Sequence, residues 1–121
     1  MEKVEFLVLR NLLYNEEYVR KVIPFIKGEY FEDYNQRVVF EEILKFVQEY
    51  NEPATKEVLC IETEKRQDIN DTSFKEIKQL ISNLQDDPSE FNWLVNTTEK
   101  WCRDRAIYLA LMESIQLADG K

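Results

Sequence analysis

Residues 88–118 read PSEFNWLVNTTEKWCRDRAIYLALMESIQLA, and this stretch decides the fold. Nothing in it breaks a helix after Pro88: there is no glycine, no further proline, and apolar residues recur throughout. Roughly 31 residues at 1.5 Å each run about 46 Å, whereas a compact chain of this size has a radius of gyration of about 14 Å. A continuous helix therefore outruns the head from which it starts. Its distal half carries Ile107, Tyr108, Leu109, Leu111, Met112, Ile115 and Leu117, apolar on more than one side. Such a surface needs a partner helix, from another copy or from further chain. The alternative is a bend near Asn96-Thr97-Thr98 that folds the distal half back onto the head. The projecting form is the preferred reading.

The rest of the chain supports an all-α architecture. Two glycines and three prolines in 121 residues are too few for a many-turned sandwich or barrel, and 44% apolar residues are enough for a core. The division expected is a small helical head of about five short helices over 1–87, followed by one long helix over 88–121. Residues 2–14 keep helical spacing at Phe6, Leu9, Leu12 and Leu13. Asn15 is an N-cap ahead of Glu16 and Glu17, and the helix it opens buries Tyr18, Val19, Val22, Ile23 and Ile26, with Pro24 turning its last turn aside and Gly28 as a stop. Tyr30 and Phe31 plug the core from a connector. Residues 35–50 carry the stripe Val39, Ile43, Phe46, Val47 and Tyr50, and Asn51-Glu52-Pro53 ends that helix. Thr55 caps a short helix to about Arg66 with Val58, Leu59 and Ile61 apolar. After a polar loop over 67–71, Ser73-Phe74-Lys75-Glu76 reads as a capping box, followed by Ile77, Leu80, Ile81 and Leu84. Asp87-Pro88-Ser89-Glu90 places proline at the first helical position of the long helix.

Charge and composition exclude most chemistry. The formal net charge is −8, and each half carries 8 basic and 12 acidic residues, a difference of −4 in both. A uniformly acidic surface repels phosphate, so direct nucleic-acid binding by this segment is expected to be weak or nil. No apolar run approaches the ~20 residues of a membrane span, and the start lacks the pattern of a signal peptide. The chain has no histidine, which removes imidazole bases and ligands. Cys60 and Cys102 are read as buried thiols, with a bridge the alternative. The adjacent carboxylates Glu16/Glu17, Glu32/Asp33, Glu41/Glu42 and Asp86/Asp87 diverge by about 100° where helical and suit first turns and solvated faces better than acid–base work. No metal-ligand cluster is present, and Gly28 and Gly120 alone cannot form a phosphate-binding loop. The segment by itself is not read as an enzyme, and no cofactor or metal is expected in it. Arg103-Asp104-Arg105 is either a contact for an acidic partner or, preferably, a solubilising flank with a Glu99–Arg103 pair. Trp93 and Trp101 are interface anchors or, more commonly in helices, core plugs.

The block Trp93-Leu94-Val95-Asn96-Thr97-Thr98-Glu99-Lys100-Trp101-Cys102-Arg103-Asp104-Arg105-Ala106 resembles the segment that opens the long helical hairpin of DnaB-like replicative helicases, in the version of the T-even-type tailed phages. Asn11-Leu12-Leu13-Tyr14, Gly28-Glu29-Tyr30-Phe31-Glu32 and Leu80-Ile81-Ser82-Asn83-Leu84-Gln85-Asp86-Asp87-Pro88 are similar in order and spacing. The resemblance covers most of residues 5–112 and is weak over 55–72.

That resemblance implies a ring hexamer that unwinds duplex DNA with ATP, whose N-terminal domains pair through helical hairpins into a collar around the DNA channel. It implies contact with primase and, in some systems, with a helicase loader. ATP and magnesium belong to a separate C-terminal RecA-like motor, and the location implied is the host cytoplasm. The present segment is then the collar domain with one arm of its hairpin. The residues expected to carry self-association are Trp101, Ile107, Tyr108, Leu111, Met112 and Ile115; with half a hairpin, Ile107, Leu111 and Ile115 could instead drive a non-native dimer. The contrasting reading is a stand-alone acidic phage protein that binds and inhibits a host factor.

Overall fold

The computed structural model describes residues 3–120; Met1, Glu2 and Lys121, which fall at the ends of the sequence-predicted segments, lie outside them. Among the described residues there are six α-helices, two short 3-10 turns and no strand. The helices are α1 (Lys3–Tyr14), α2 (Glu16–Val22), α3 (Tyr34–Tyr50), α4 (Lys56–Glu64), α5 (Asp71–Ser82) and α6 (Phe91–Gly120). α1 lies at the centre, against α2, α3 and α6, while α4 and α5 pack on each other and on the far side of α3.

Short polar side chains set most helix starts by accepting an N–H that no helical carbonyl reaches. Asn15 accepts from Tyr18, Asp33 from Gln36, and Thr55 from Val58. Two starts differ from the expectation. Asn70 accepts from the Ser73 N–H, so α5 begins at Asp71 and Ser73 lies inside its first turn rather than capping it. At α6, the Glu90 carboxylate accepts from the N–H of Trp93 at 2.8 Å and of Asn92 at 3.1 Å, so the helix starts at Phe91 and Pro88 stays in the linker. In both places another side chain, Asn70 with one free N–H and Glu90 with two, outcompeted the motif that sequence spacing suggested.

Pro24 turns the chain as expected, into a 3-10 turn over Ile23–Phe25. Gly28 does not act as a left-handed stop; it opens a second 3-10 turn, Gly28–Tyr30, with no positive φ. Among the described residues only Asn51, with φ 56°, takes the left-handed conformation, closing α3 by donating its N–H to the Val47 carbonyl. The connector after Gly28 delivers Tyr30 and Phe31 into the core, as predicted, where Phe31 is fully buried. Its ring meets Phe40 at 5.2 Å and Trp101 at 5.0 Å between centroids. Burying a connector leaves its carbonyls without water. Arg37 from α3 donates to the Phe31 carbonyl at 2.9 Å, and Arg105 from α6 donates to the Tyr30 carbonyl at 2.7 Å.

Val8, Leu9, Leu12, Tyr18, Val22, Phe40, Ile43, Leu59, Ile77, Leu84 and Leu94 are fully buried and form one continuous core. Two predicted apolar positions stay outside the core: Tyr50, the last residue of α3, is 58% exposed, and Ile61, on the side of α4 opposite the buried Leu59 and Thr63, is 50% exposed.

Candidate functional site

α6 is one unbroken helix of 30 residues, about 45 Å long, with no bend at Asn96–Thr98. Its first three turns belong to the head: Leu94, Val95, Thr98 and Cys102 are buried. The Thr98 hydroxyl donates to the Leu94 carbonyl at 2.8 Å and meets the Tyr18 hydroxyl at 2.6 Å, so the buried phenol finds its partner across the helix pair. Burial pushes the Tyr18 hydroxyl well above its ordinary pKa and the Cys102 thiol up to about 11, so both stay protonated at neutral pH. Neither cysteine is in a disulfide.

Beyond Cys102 the helix leaves the head. From Arg103 onward only Arg105 and Leu109 are half-buried among the described residues, and every other position is exposed. At about 100° per residue, the head-facing line runs through Phe91, Thr98, Cys102 and Leu109. Ile107, Leu111 and Ile115, flanked by Tyr108 and Met112, form a second stripe rotated roughly 120° from the first. Exposure along it is 55% at Ile107, 59% at Leu111 and 52% at Ile115. Five large apolar side chains thus share one solvent-facing surface that no element of the head covers.

Trp101, the sixth residue expected in this set, lies elsewhere. It is half-buried and packs edge-on against Tyr30 at 6.0 Å and against Phe31, which makes it a plug at the base of the arm. The roles of the two tryptophans differ accordingly, since Trp93 is 53% exposed. Trp93 lies five helical turns before Leu111 at about 3.6 residues per turn, and so falls on the second stripe. Counting back from Leu111 by whole turns was the signal that could have found it. Between them, Lys100 and Asp104 pair at 2.8 Å, in place of the predicted Glu99–Arg103 pair.

The Arg103-Asp104-Arg105 run is divided by function. Arg105 braces the arm: besides its bond to the Tyr30 carbonyl it sits 3.6 Å from the Glu32 carboxylate and stacks 5.0 Å from the Tyr108 ring centroid. Asp104 serves Lys100, and Arg103 is exposed. On the far side of the head, Arg66 holds the loop between α4 and α5 by donating to Glu42 at 3.0 Å, Glu41 at 3.1 Å and Asp68 at 2.7 Å. Arg66 and the Tyr34 hydroxyl together hold the Asp68 carboxyl well below the usual carboxylate range. Among the described residues no group of three or more His, Cys, Asp or Glu is placed to hold a metal ion, and no helix is long and apolar enough to cross a membrane.

A head of short helices with a long projecting C-terminal helix is the architecture that the resemblance implied. A sequence profile described as the DnaB-like helicase N-terminal domain matches residues 1–93, more than half of the chain. This chain belongs to the DnaB-like helicase N-terminal domain family. A DnaB-like replicative helicase of Enterobacteria phage T4 is 32% identical over 111 residues, covering 92% of this chain. The chain spans 23% of that helicase's length. The expected resemblance to DnaB-like helicases, in the T-even-type version, is therefore borne out. The profile match ends at Trp93, so the exposed half of α6 lies outside it.

Proposed function

We propose that this domain is the collar module of a DnaB-like replicative helicase, and that it pairs with other copies of itself through the exposed stripe of α6. The observation that carries this reading is the set Ile107, Tyr108, Leu111, Met112 and Ile115, exposed together on a helix that has left its head. Fully burying a side chain of this size stabilises by about 1.5–3 kcal/mol, so covering even part of the stripe provides a strong drive to associate. Trp101 and Arg105 support pairing indirectly by holding the base of the arm to the Tyr30–Phe31 connector.

In the whole protein, the collar sits on a separate motor domain that binds ATP and magnesium and unwinds duplex DNA, working in a hexameric ring in the host cytoplasm. The collar contacts primase and, where one exists, a helicase loader. A net charge of −8 suits a protein-facing collar better than a grip on DNA. Family membership supports this reading over that of a stand-alone inhibitor of a host factor.

Sedimentation velocity over a concentration series tests the pairing. Association should rise with concentration and be lost in Leu111→Glu, which places a charge mid-stripe without touching the head. A strict monomer at high concentration, unaffected by Leu111→Glu, refutes it. Titration with the cognate primase, in the full-length helicase and in this domain, tests the second contact.

A further inference from the structure

α3 and α4 enclose a groove of about 360 Å³ on the face of the head away from α6. Each helix turns an apolar pair into it: Phe46 and Tyr50, four residues apart on α3, and Val58 and Ile61, three apart on α4. Phe46 and Val58 are half-buried on the floor, and Tyr50 and Ile61 stand exposed as walls. The Phe46 and Tyr50 rings meet at 4.7 Å between centroids, which stiffens one wall. An open trough between two helices, with apolar walls at helical spacing, has the form that receives a third helix.

The charge around the groove indicates the kind of helix. The two lysines on its rim are engaged by its own carboxylates: Lys45 with Glu42 at 3.1 Å and Glu62 at 3.8 Å, and Lys65 with Glu62 at 3.0 Å. Glu49 on the rim is exposed, as is Glu57, one turn before Ile61 on the same face of α4. The surplus is therefore negative, and a cationic partner is favoured both at encounter and at contact. A second copy of this chain would bring another −8 surface to this face.

We propose that the α3–α4 groove docks a basic amphipathic helix of another protein, with its apolar stripe between Tyr50 and Ile61 and its Lys or Arg residues opposite Glu49 and Glu57. This surface is separate from the α6 stripe and does not depend on pairing through it. The test uses the whole 121-residue chain. The probe is a helical peptide of about 18 residues, five turns, with one leucine stripe and lysine elsewhere. A peptide of the same composition, scrambled to destroy the stripe, controls for charge alone. In amide NMR titrations the striped peptide should move signals in the second half of α3 and in α4. Its affinity should fall at least tenfold in Ile61→Asp and in the double variant Glu49→Lys/Glu57→Lys, and be unchanged in Leu111→Glu. All three positions are exposed, so these variants keep the fold, which their amide spectra verify. Equal binding of the scrambled peptide, signal changes that map to α6, or unchanged affinity in Ile61→Asp would each overturn the proposal. So would loss of self-association in Ile61→Asp, which would assign the groove to a second copy.

Discussion

Both halves of α6 carry large apolar side chains, and their fates are opposite. Phe91 to Cys102 turns Leu94, Val95, Thr98 and Cys102 toward α1 and α2, and those side chains disappear into the core. Ile107 to Leu117 presents side chains just as large to water. Composition does not decide this, and neither does rotation alone: Leu94 and Met112 lie five turns apart on one side of the helix, and only Leu94 is buried. The proximal half runs against the head, while the distal half lies past the reach of any other helix. The difference teaches that a hydrophobic helix is core or interface according to where the rest of the chain stops. The contrast also explains why stability and association should respond to different substitutions.

Truncating one leucine in each half sharpens that contrast most. Leu94→Ala removes a fully buried side chain and should cost about 2–5 kcal/mol in urea unfolding, whereas Leu111→Ala should change monomer stability by no more than about 0.5 kcal/mol. Equal losses at both sites would show that the distal half is packed in solution after all. The next effect is polar. Thr98→Val leaves the buried Tyr18 hydroxyl without its 2.6 Å partner and should cost about 1–3 kcal/mol, largely recovered in the double variant with Tyr18→Phe. A double variant as unstable as Thr98→Val would assign the loss to shape instead.

Smaller again is the brace between the halves. Arg105→Ala removes the donor to the Tyr30 carbonyl and should cost about 1 kcal/mol, with faster amide exchange in the Tyr30–Phe31 connector. Unchanged exchange there would separate Arg105 from the connector. The two thiols give a comparison without mutation. Cys102, buried and pushed up to about 11, should react with iodoacetamide at pH 8 more slowly than the half-buried Cys60. Because its folded pKa lies above the unfolded value near 8.5, its contribution to stability is complete below about pH 8.5 and lost as pH rises through about 11.

The smallest effect lies on the far side of the head. The Asp68 carboxyl has a lowered pKa in the fold, so its pair with Arg66 stabilises above the unfolded value near 4 and is lost as pH falls below it. Asp68→Asn should lower the neutral-pH midpoint slightly and leave the acid end unchanged, so that the acid limb flattens by that same small amount, as exposed pairs contribute little. An unaltered acid limb would remove Asp68 from the account.

The head was largely legible because helical spacing and short polar caps are local signals. Asn15 and Thr55 capped as read, and Tyr30 and Phe31 entered the core from a connector because aromatic side chains there have nowhere else to go. Ser73 and Pro88 misled for one reason: a rival cap, Asn70 before the one and Glu90 after the other, set the start instead, and motif matching ignores such competition. Tyr50 and Ile61 stayed outside, because Tyr50 ends α3 and Ile61, two residues from both Leu59 and Thr63, points to the opposite side of α4. Five of the six expected association residues share the exposed stripe. Trp101, on the same side of the helix as Tyr108 and Met112, does not, because it lies low enough on the arm for the Tyr30–Phe31 connector to cover it, and no local pattern records where that connector sits.

By itself the sequence determined the helical class and the absence of histidine, favoured a continuous long C-terminal helix over a bent one, and carried the family resemblance. Each of these follows from residue types and from spacing within a few turns, where the backbone's own geometry dictates what is near what. Tertiary structure decided which apolar faces are hidden. It placed Trp101 against Phe31 and left Trp93 outside, bound Arg105 to the connector and left Arg103 in water, and opened a groove where α3 and α4 part. These outcomes depend on contacts between residues far apart in the chain, and burial is a property of the whole packing, which no single segment carries.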